Sequence, residues 1–116
     1  MSKRILFLDD SGERAHAFLV QFPMAVWART APEAIEALKD LMGWDEVWLD
    51  HDLGGQVFVD SRREDTGYEV VRWIIANQPG IANIRVHTWN IPAGKRMANN
   101  LSDAGYSVIL APFSVA

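Results

Sequence analysis

The sequence predicts an α/β fold, a three-layer sandwich with a five-stranded parallel sheet between helices. Three observations predict it. Five short runs of β-branched and bulky apolar residues recur along the chain, four amphipathic helical segments separate them, and the connections are short. Strict alternation of strand and helix calls for a parallel sheet with right-handed crossovers. At 116 residues the chain is long enough for one domain, spanning 1–116, and too short for two.

The elements follow in order. Ile5–Leu8 is a near-continuous apolar run of the kind buried parallel strands show, and Asp9-Asp10-Ser11-Gly12 ends it. Ala15, Phe18, Leu19 and Phe22 then repeat at i, i+3, i+4, i+7, the spacing of one buried helix face, until Pro23 stops them. A second strand is expected over 24–27. Thr30-Ala31-Pro32-Glu33 is a capping box with proline in the first turn. The helix it opens is expected to bury Ala34, Leu38, Leu41 and Met42 and to end near Gly43.

A third strand over 46–49 runs into Asp50-His51-Asp52-Leu53-Gly54-Gly55, and 56–65 is a polar loop. Thr66 caps a helix expected to bury Val70, Val71, Ile74 and Ile75 and to end at Pro79-Gly80. A fourth strand over 84–86 leads to His87-Thr88-Trp89-Asn90. The next helix starts around Pro92 and Gly94, carries Met97, Leu101 and Ala104 on its apolar side, and has Gly105 as its C′ residue. A fifth strand over 106–110 ends at Ala111-Pro112-Phe113. No helix follows it, so part of one sheet face would lie bare. A second copy of the chain, giving a homodimer, is the simplest cover; the alternative is helix one and the extra aromatics.

Composition narrows the function. The net charge of -4 argues against non-specific DNA binding through a basic surface. With no cysteine, thiolate nucleophiles, disulfides and zinc-thiolate sites are excluded. No apolar run approaches a membrane span and no signal-peptide pattern opens the chain, so a cytoplasmic location is expected.

The chemistry concentrates at strand ends. Asp9 and Asp10 follow the first strand, and Asp50 and Asp52 follow the third. In an open α/β sheet the carboxyl edge is where ligands bind. Four carboxylates on one rim do not all ionise cheaply without a cation, and an all-oxygen set suits Mg²⁺ or Mn²⁺. The expected metal ligands are therefore Asp9, Asp10, Asp50 and Asp52, against the plainer reading of turn and cap aspartates. His51 and His87 lie on the same rim, and imidazole titrates near neutral pH. A hydrolysis needs an activated water and a proton for the leaving group, which a metal site with a histidine partner can supply. Asn90 and the turn Pro92–Lys95 sit at a helix N-terminus, a place that holds phosphate or simply caps. Arg14, one turn beyond the acidic pair, either pairs with phosphate or neutralises Asp10.

These motifs resemble the receiver domains of two-component signalling: Leu8-Asp9-Asp10, Leu49-Asp50, Asp65-Thr66-Gly67-Tyr68-Glu69 and Ala111-Pro112-Phe113. The resemblance implies a flavodoxin-like, receiver-like sheet of order 2-1-3-4-5 that lacks the last helix. Ala111 stands where a receiver has its lysine, and His51 and Asp52 are additions. The departures are similar to a divergent branch, the cyclic-phosphate processing receiver-like domains associated with RNA repair systems. That likeness rests on Asp9, Asp10 and Arg14; on Asp50-His51-Asp52-Leu53-Gly54; on Asp65-Thr66-Gly67; and on His87, Asn90, Pro92, Gly94 and Met97.

The resemblance implies a metal-dependent phosphoesterase acting on a cyclic nucleotide or on an RNA 2′,3′-cyclic phosphate end. Catalytic roles would fall to His51, His87 and Asp50, the last also as a direct nucleophile, and phosphate contacts to Arg14, Thr88, Asn90, Gly94 and Lys95. Trp89 is a candidate to stack on a base. The alternative is a receiver or pseudo-receiver signalling module, or a nucleotide-capture protein, without turnover.

Overall fold

The computed structural model describes residues 3–51, 66–88 and 90–111. The element order is β1 (Ile5–Leu8), α1 (Gly12–Gln21), β2 (Val26–Ala28), α2 (Ala31–Leu38), β3 (Trp44–Leu49), α3 (Gly67–Asn77), β4 (Ile81–Val86), α4 (Ile91–Asp103) and β5 (Val108–Leu110). All neighbours are parallel and the sheet order is β2-β1-β3-β4-β5, the order expected. Leu8 pairs with Ala28 on one side and Leu49 on the other, and Leu49 pairs with Val86. This register brings the ends of β1, β3 and β4 to one edge.

The two faces of the sheet are covered unequally. Leu6, Leu8, Val47, Leu49, Ile84 and Val86 are buried with residues of α2, α3 and α4, the larger core. On the other face Ile5 and Phe7 meet Ala15 and Phe18 of α1, with the Phe7 and Phe18 rings stacked 4.1 Å apart. Among the described residues no helix follows β5. The surface beyond α1 is nevertheless not the bare apolar sheet expected. Trp48 lies edge-on to Phe18 at 5.0 Å, and Glu46 accepts from Lys3 at 2.9 Å and from Trp48 Nε1 at 3.1 Å, with Arg85 at 3.7 Å. Burial pushes the Glu46 carboxyl up, but the hydrogen bonds from Lys3 and Trp48 outweigh it and hold it below the usual range. Aromatics and an ionic cluster thus provide part of the cover, while Ile109 in the same row of the sheet is 46% exposed.

Two expectations of burial are corrected. Helix α2 stops at Leu38, so Leu41 and Met42 lie beyond it in the turn and are exposed, at 102% and 78%. The turn is closed by Asp40, which accepts from Met42 N, and by Gly43 with φ of 73°. Ile75 lies at the edge of the α3 apolar stripe and is exposed, whereas Val70, Val71 and Ile74 are buried. Strands β3 and β4 start two and three residues earlier than expected, because Trp44–Ile81 pairing extends both. Strand β2 is displaced one to two residues toward the site, and β5 is shorter at its start.

Candidate functional site

The site is built where β1 and β3 deliver Asp9, Asp10 and Asp50. A carboxylate oxygen from each lies within 4.8 Å of the others, an arrangement able to hold a metal ion. Asp9 is wholly buried, Asp50 nearly so, and Asp10 is half-buried. The backbone puts them there directly: Asp9 N donates to Ala28 O at 3.1 Å and Asp50 N to Leu8 O at 3.2 Å, each continuing its ladder by one bond.

Arg14 is the local counter-charge. Ser11 caps α1 by accepting from Arg14 N at 3.2 Å, which sets the first helical turn beside the cluster. The guanidinium then grips Asp9 in a fork, Nε to Oδ2 and Nη2 to Oδ1, both at 2.8 Å. The same Nη2 lies 3.6 Å from Asp50 Oδ2 and 3.9 Å from Asp10 Oδ1. The hydrogen bonds to Asp9 raise the Arg14 pKa above its ordinary value against a lowering by burial, and the charges of Asp9, Asp50 and Asp10 add to the rise. The main partner of Arg14 is therefore Asp9 rather than Asp10. Ser11 N also donates to Asp9 Oδ1 at 2.8 Å. With three donors on it, Asp9 is chiefly the anchor of Arg14.

His87 is brought to the cluster from beneath. Its N–H donates to Leu49 O at 3.0 Å, and the ring stacks on Phe7 with centroids 4.9 Å apart. Leu8 O can only accept, so the 3.0 Å contact from Nε2 places the proton on Nε2. Nδ1 is then left without a hydrogen-bond partner, 3.6 Å from Asp9 Oδ2. Burial lowers the His87 pKa to about 4, against the raising effect of Asp9, so the imidazole is neutral at physiological pH.

His51 is wholly buried next to Asp50, and its carbonyl accepts from Gly67 N at 2.9 Å. Here sequence reasoning missed a determinant. A Cβ on Gly67 would stand 1.7 Å from Asp50 O and 3.0 Å from His51 Cα. Only glycine lets the first turn of α3 sit directly on the Asp50-His51 backbone. The Asp-Thr-Gly motif was visible, but its partner was not. Thr66, wholly buried, occupies the N-cap position.

Asn90, Thr88 and Gly94 form a network of their own at the start of α4. Asn90 Oδ1 accepts from Ala93 N at 3.3 Å, Thr88 Oγ1 accepts from Asn90 N at 3.1 Å, and Gly94 N donates to Asn90 O at 2.8 Å. A Cβ on Gly94 would meet the Thr88 methyl at 2.9 Å and Leu110 Cδ1 at 3.0 Å, so this glycine serves helix-to-sheet packing. Lys95 is exposed on the first turn of α4. Asp52 and Trp89 lie outside the described residues.

A second feature escaped the sequence reading. Trp27 Nε1 donates to Asp9 O at 2.8 Å, tying an indole of β2 to the backbone of the acidic pair. Ala111, where a receiver carries lysine, continues the ladder through its N–H to Val86 O at 2.8 Å. Among the described residues no helix is long and apolar enough to cross a membrane.

The fold is shared with solved receiver domains. The signal receiver domain of a Luxo repressor protein from Vibrio parahaemolyticus aligns with a TM-score of 0.68 at 19% identity, covering 99% of this chain and 82% of that one. A CheY-like response regulator receiver domain from Methylobacillus flagellatus gives 0.64 at 14% identity, with 99% and 91% covered. The response regulator domain of Thermotoga maritima CheB gives 0.62 at 16%, with 100% and 83% covered. At these identities the likeness is one of fold. No curated protein matches the chain. Residues 4–103 match the cyclic-phosphate processing receiver domain. With that match over most of its length, and with the receiver fold built around an aspartate cluster, the chain belongs to the cyclic-phosphate processing receiver domain family.

Proposed function

We propose that the protein is a metal-dependent phosphoesterase that opens a cyclic phosphate. The observation carrying this reading is the aspartate cluster at the carboxyl edge of the sheet, in a chain of this family. The donor set fits a hard divalent cation such as Mg²⁺ or Mn²⁺: three carboxylates and no sulfur or free imidazole. Asp10 and Asp50 would hold the ion, with Asp9 reaching it or fixing Arg14, and Asp52 as a further candidate ligand. When bound, the ion would neutralise charge on the phosphate oxygens and polarise the phosphorus centre.

The charges support this assignment. Among the described residues the cluster sets three carboxylates against the Arg14 guanidinium, an acidic surplus that a divalent cation would offset before an anionic phosphate diester approaches. Arg14, held by Asp9, is aimed at the same space and would orient the phosphate as charge develops. His51 remains the proposed proton carrier. His87, buried, neutral and donating to Leu8 O, is better placed to hold the β1 end than to reach substrate. Thr88, Asn90, Gly94 and Lys95 would border the phosphate from the α4 side.

One observation favours a second reading. Both imidazoles on the rim, His51 and His87, are buried. A capture or signalling module without turnover requires no exposed histidine.

The test is turnover of nucleoside 2′,3′-cyclic phosphates and RNA oligomers ending in one, with Mg²⁺ or Mn²⁺, beside Asp50→Asn and Asp10→Asn. Hydrolysis abolished by chelator and by both substitutions is expected. Hydrolysis indifferent to chelator and to Asp50→Asn would sink the reading. Absence of turnover in folded, metal-supplied protein would favour the second one, which labelling of Asp50 by acetyl phosphate would resolve into receiver or capture.

A further inference from the structure

We propose that Trp27 and Arg29 form a shelf beside the aspartate cluster that stacks a nucleobase. The cyclic phosphate processed there would then belong to a nucleoside or RNA end rather than to a base-free polyol. This inference rests on the cyclic-phosphate reading and adds to it the part of the substrate that lies away from phosphorus.

The shelf is joined to the site through the backbone. Trp27 is the central residue of β2, and its Nε1 donates to Asp9 O at 2.8 Å. Asp9 N in turn donates to Ala28 O at 3.1 Å, one residue before Arg29. The indole and Arg29 are thus held at the flank of β1 next to the residues that carry the metal-site carboxylates. Trp27 packs on the Ile5, Phe7, Ala15 and Phe18 cluster, which fixes the ring.

Among the described residues four arginines lie over aromatic rings, and the comparison among them singles out Arg29. Arg4, over Trp44 at 4.6 Å, is tied to Asp40 at 2.9 Å. Arg72, over Tyr68 at 5.0 Å, is tied to Glu69 at 2.9 Å. Arg85, over Trp48 at 5.3 Å, lies 3.7 Å from Glu46. Arg29 lies over Trp27 at 4.9 Å, is exposed, and among the described residues has no carboxylate partner. The nearest acid in sequence, Glu33, is occupied with the α2 cap, accepting from Arg29 N at 3.3 Å and from Thr30 Oγ1 at 3.3 Å. The other three are built as aromatic–arginine–acid clasps. Arg29 lies over its ring and is exposed.

A guanidinium stacked on an indole offers its outer face to a second π-system and its edge N–H groups to acceptors. Nucleobases are recognised in this way when they are single-stranded and unstacked, as at an RNA 3′ end. Stacking tolerates any base, because every base has a π-face, so the shelf would select for the presence of a base and only weakly for its identity. The positive charge also offsets the acidic rim during approach of an anionic ligand.

The experiment compares affinity for adenosine 2′,3′-cyclic phosphate with that for glycerol 1,2-cyclic phosphate, both with Mg²⁺, in wild type, Arg29→Ala and Arg29→Lys. Wild type is expected to prefer the adenosine ligand by about tenfold, the scale of one base stack. That ratio should fall close to one in Arg29→Ala. It should fall in Arg29→Lys too, since an ammonium keeps the charge and loses the plane. A wild-type ratio near one, or a ratio that survives Arg29→Ala, would overturn the shelf while leaving the phosphoesterase reading intact. A ratio retained in Arg29→Lys would replace stacking by simple charge attraction and so overturn it as well. Binding of neither ligand by folded, Mg²⁺-supplied protein would remove the cyclic-phosphate reading and the shelf with it.

Discussion

The two ends of the sheet use the same residue types to opposite effect. At the amino end Arg4 donates to Asp40 at 2.9 Å and to Gly43 O at 2.8 Å, while its backbone N–H donates to Asp45 at 2.7 Å. At the carboxyl end Arg14 grips Asp9 and leans toward Asp10 and Asp50. The Arg4–Asp40 side chains are 34% and 46% exposed, and those of Arg14 and Asp9 are 29% and 0% exposed. Water screens the first cluster and hardly reaches the second. The first is balanced by backbone donors and solvent, and fastens the β3 entry. Among the described residues the second sets one guanidinium against two buried carboxylates and a half-buried one, which suits it to a further cation. Charge alone does not distinguish a clasp from a site; burial and stoichiometry do.

The sharpest way to break the carboxyl end is through the residue that supports it. Gly67→Ala should destabilise the protein by about 4 kcal/mol, the exceptional end for one substitution, because the new methyl group collides with main chain rather than a movable side chain. Denaturant midpoints measure it, and a loss of under about 1 kcal/mol would show that α3 can shift off the Asp50 carbonyl.

Arg14→Gln should be the next largest. It strands the buried Asp9 carboxylate, at about 3 kcal/mol, the lower part of the range for breaking a buried pair since Arg14 is partly exposed. Part of that loss should return in millimolar Mg²⁺, which would bind the more negative cluster more tightly. A melting-temperature titration with Mg²⁺ checks this; equal Mg²⁺ response in wild type and variant would contradict the competition of cation with guanidinium.

A pH series probes the same end without mutation of the cluster. His87 binds its proton near pH 4 when folded and near 6.5 when unfolded. Between these values the unfolded chain holds more protons, so stability from this group is full above about pH 6.5 and lost as pH falls toward 4. From pH 7 to pH 5 the loss should be about 2 kcal/mol. It should largely vanish in His87→Gln, and an unchanged pH slope in that variant would assign the loss to other groups.

Arg4→Gln should have the smallest effect. The pair is solvent-screened, Met42 N–H and then Arg4 hold the Asp40 carboxyl below its usual range, and the backbone donor persists. A Mg²⁺-dependent change in its melting temperature would undo the contrast between the two ends.

Much of this was legible from residue order. The apolar runs at Ile5–Leu8 and Val47–Leu49, each ending in aspartate, announced both the strands and the rim, because strand burial and carboxyl-edge chemistry are local in sequence. The end of α2 was not, since Leu41 and Met42 keep a helical spacing and the chain stops earlier through Asp40, whose carboxylate meets Met42 N and Arg4. The ranking of Asp9 against Asp10 was also hidden. It depends on a side chain five positions away folding back and on a histidine 78 residues distant, as well as on Trp27 from another strand. Residue types disclosed the chemistry of the site, and tertiary register decided which carboxylate anchors Arg14.

The bond from Gly67 N to His51 O has one more consequence. It fastens the residue after Asp50 to the first turn of α3, and Gly67 lets that turn lie directly on the Asp50 carbonyl. A displacement of α3 is therefore delivered to the Asp50 backbone rather than absorbed between them, so the helix acts as a rigid handle on one carboxylate of the cluster.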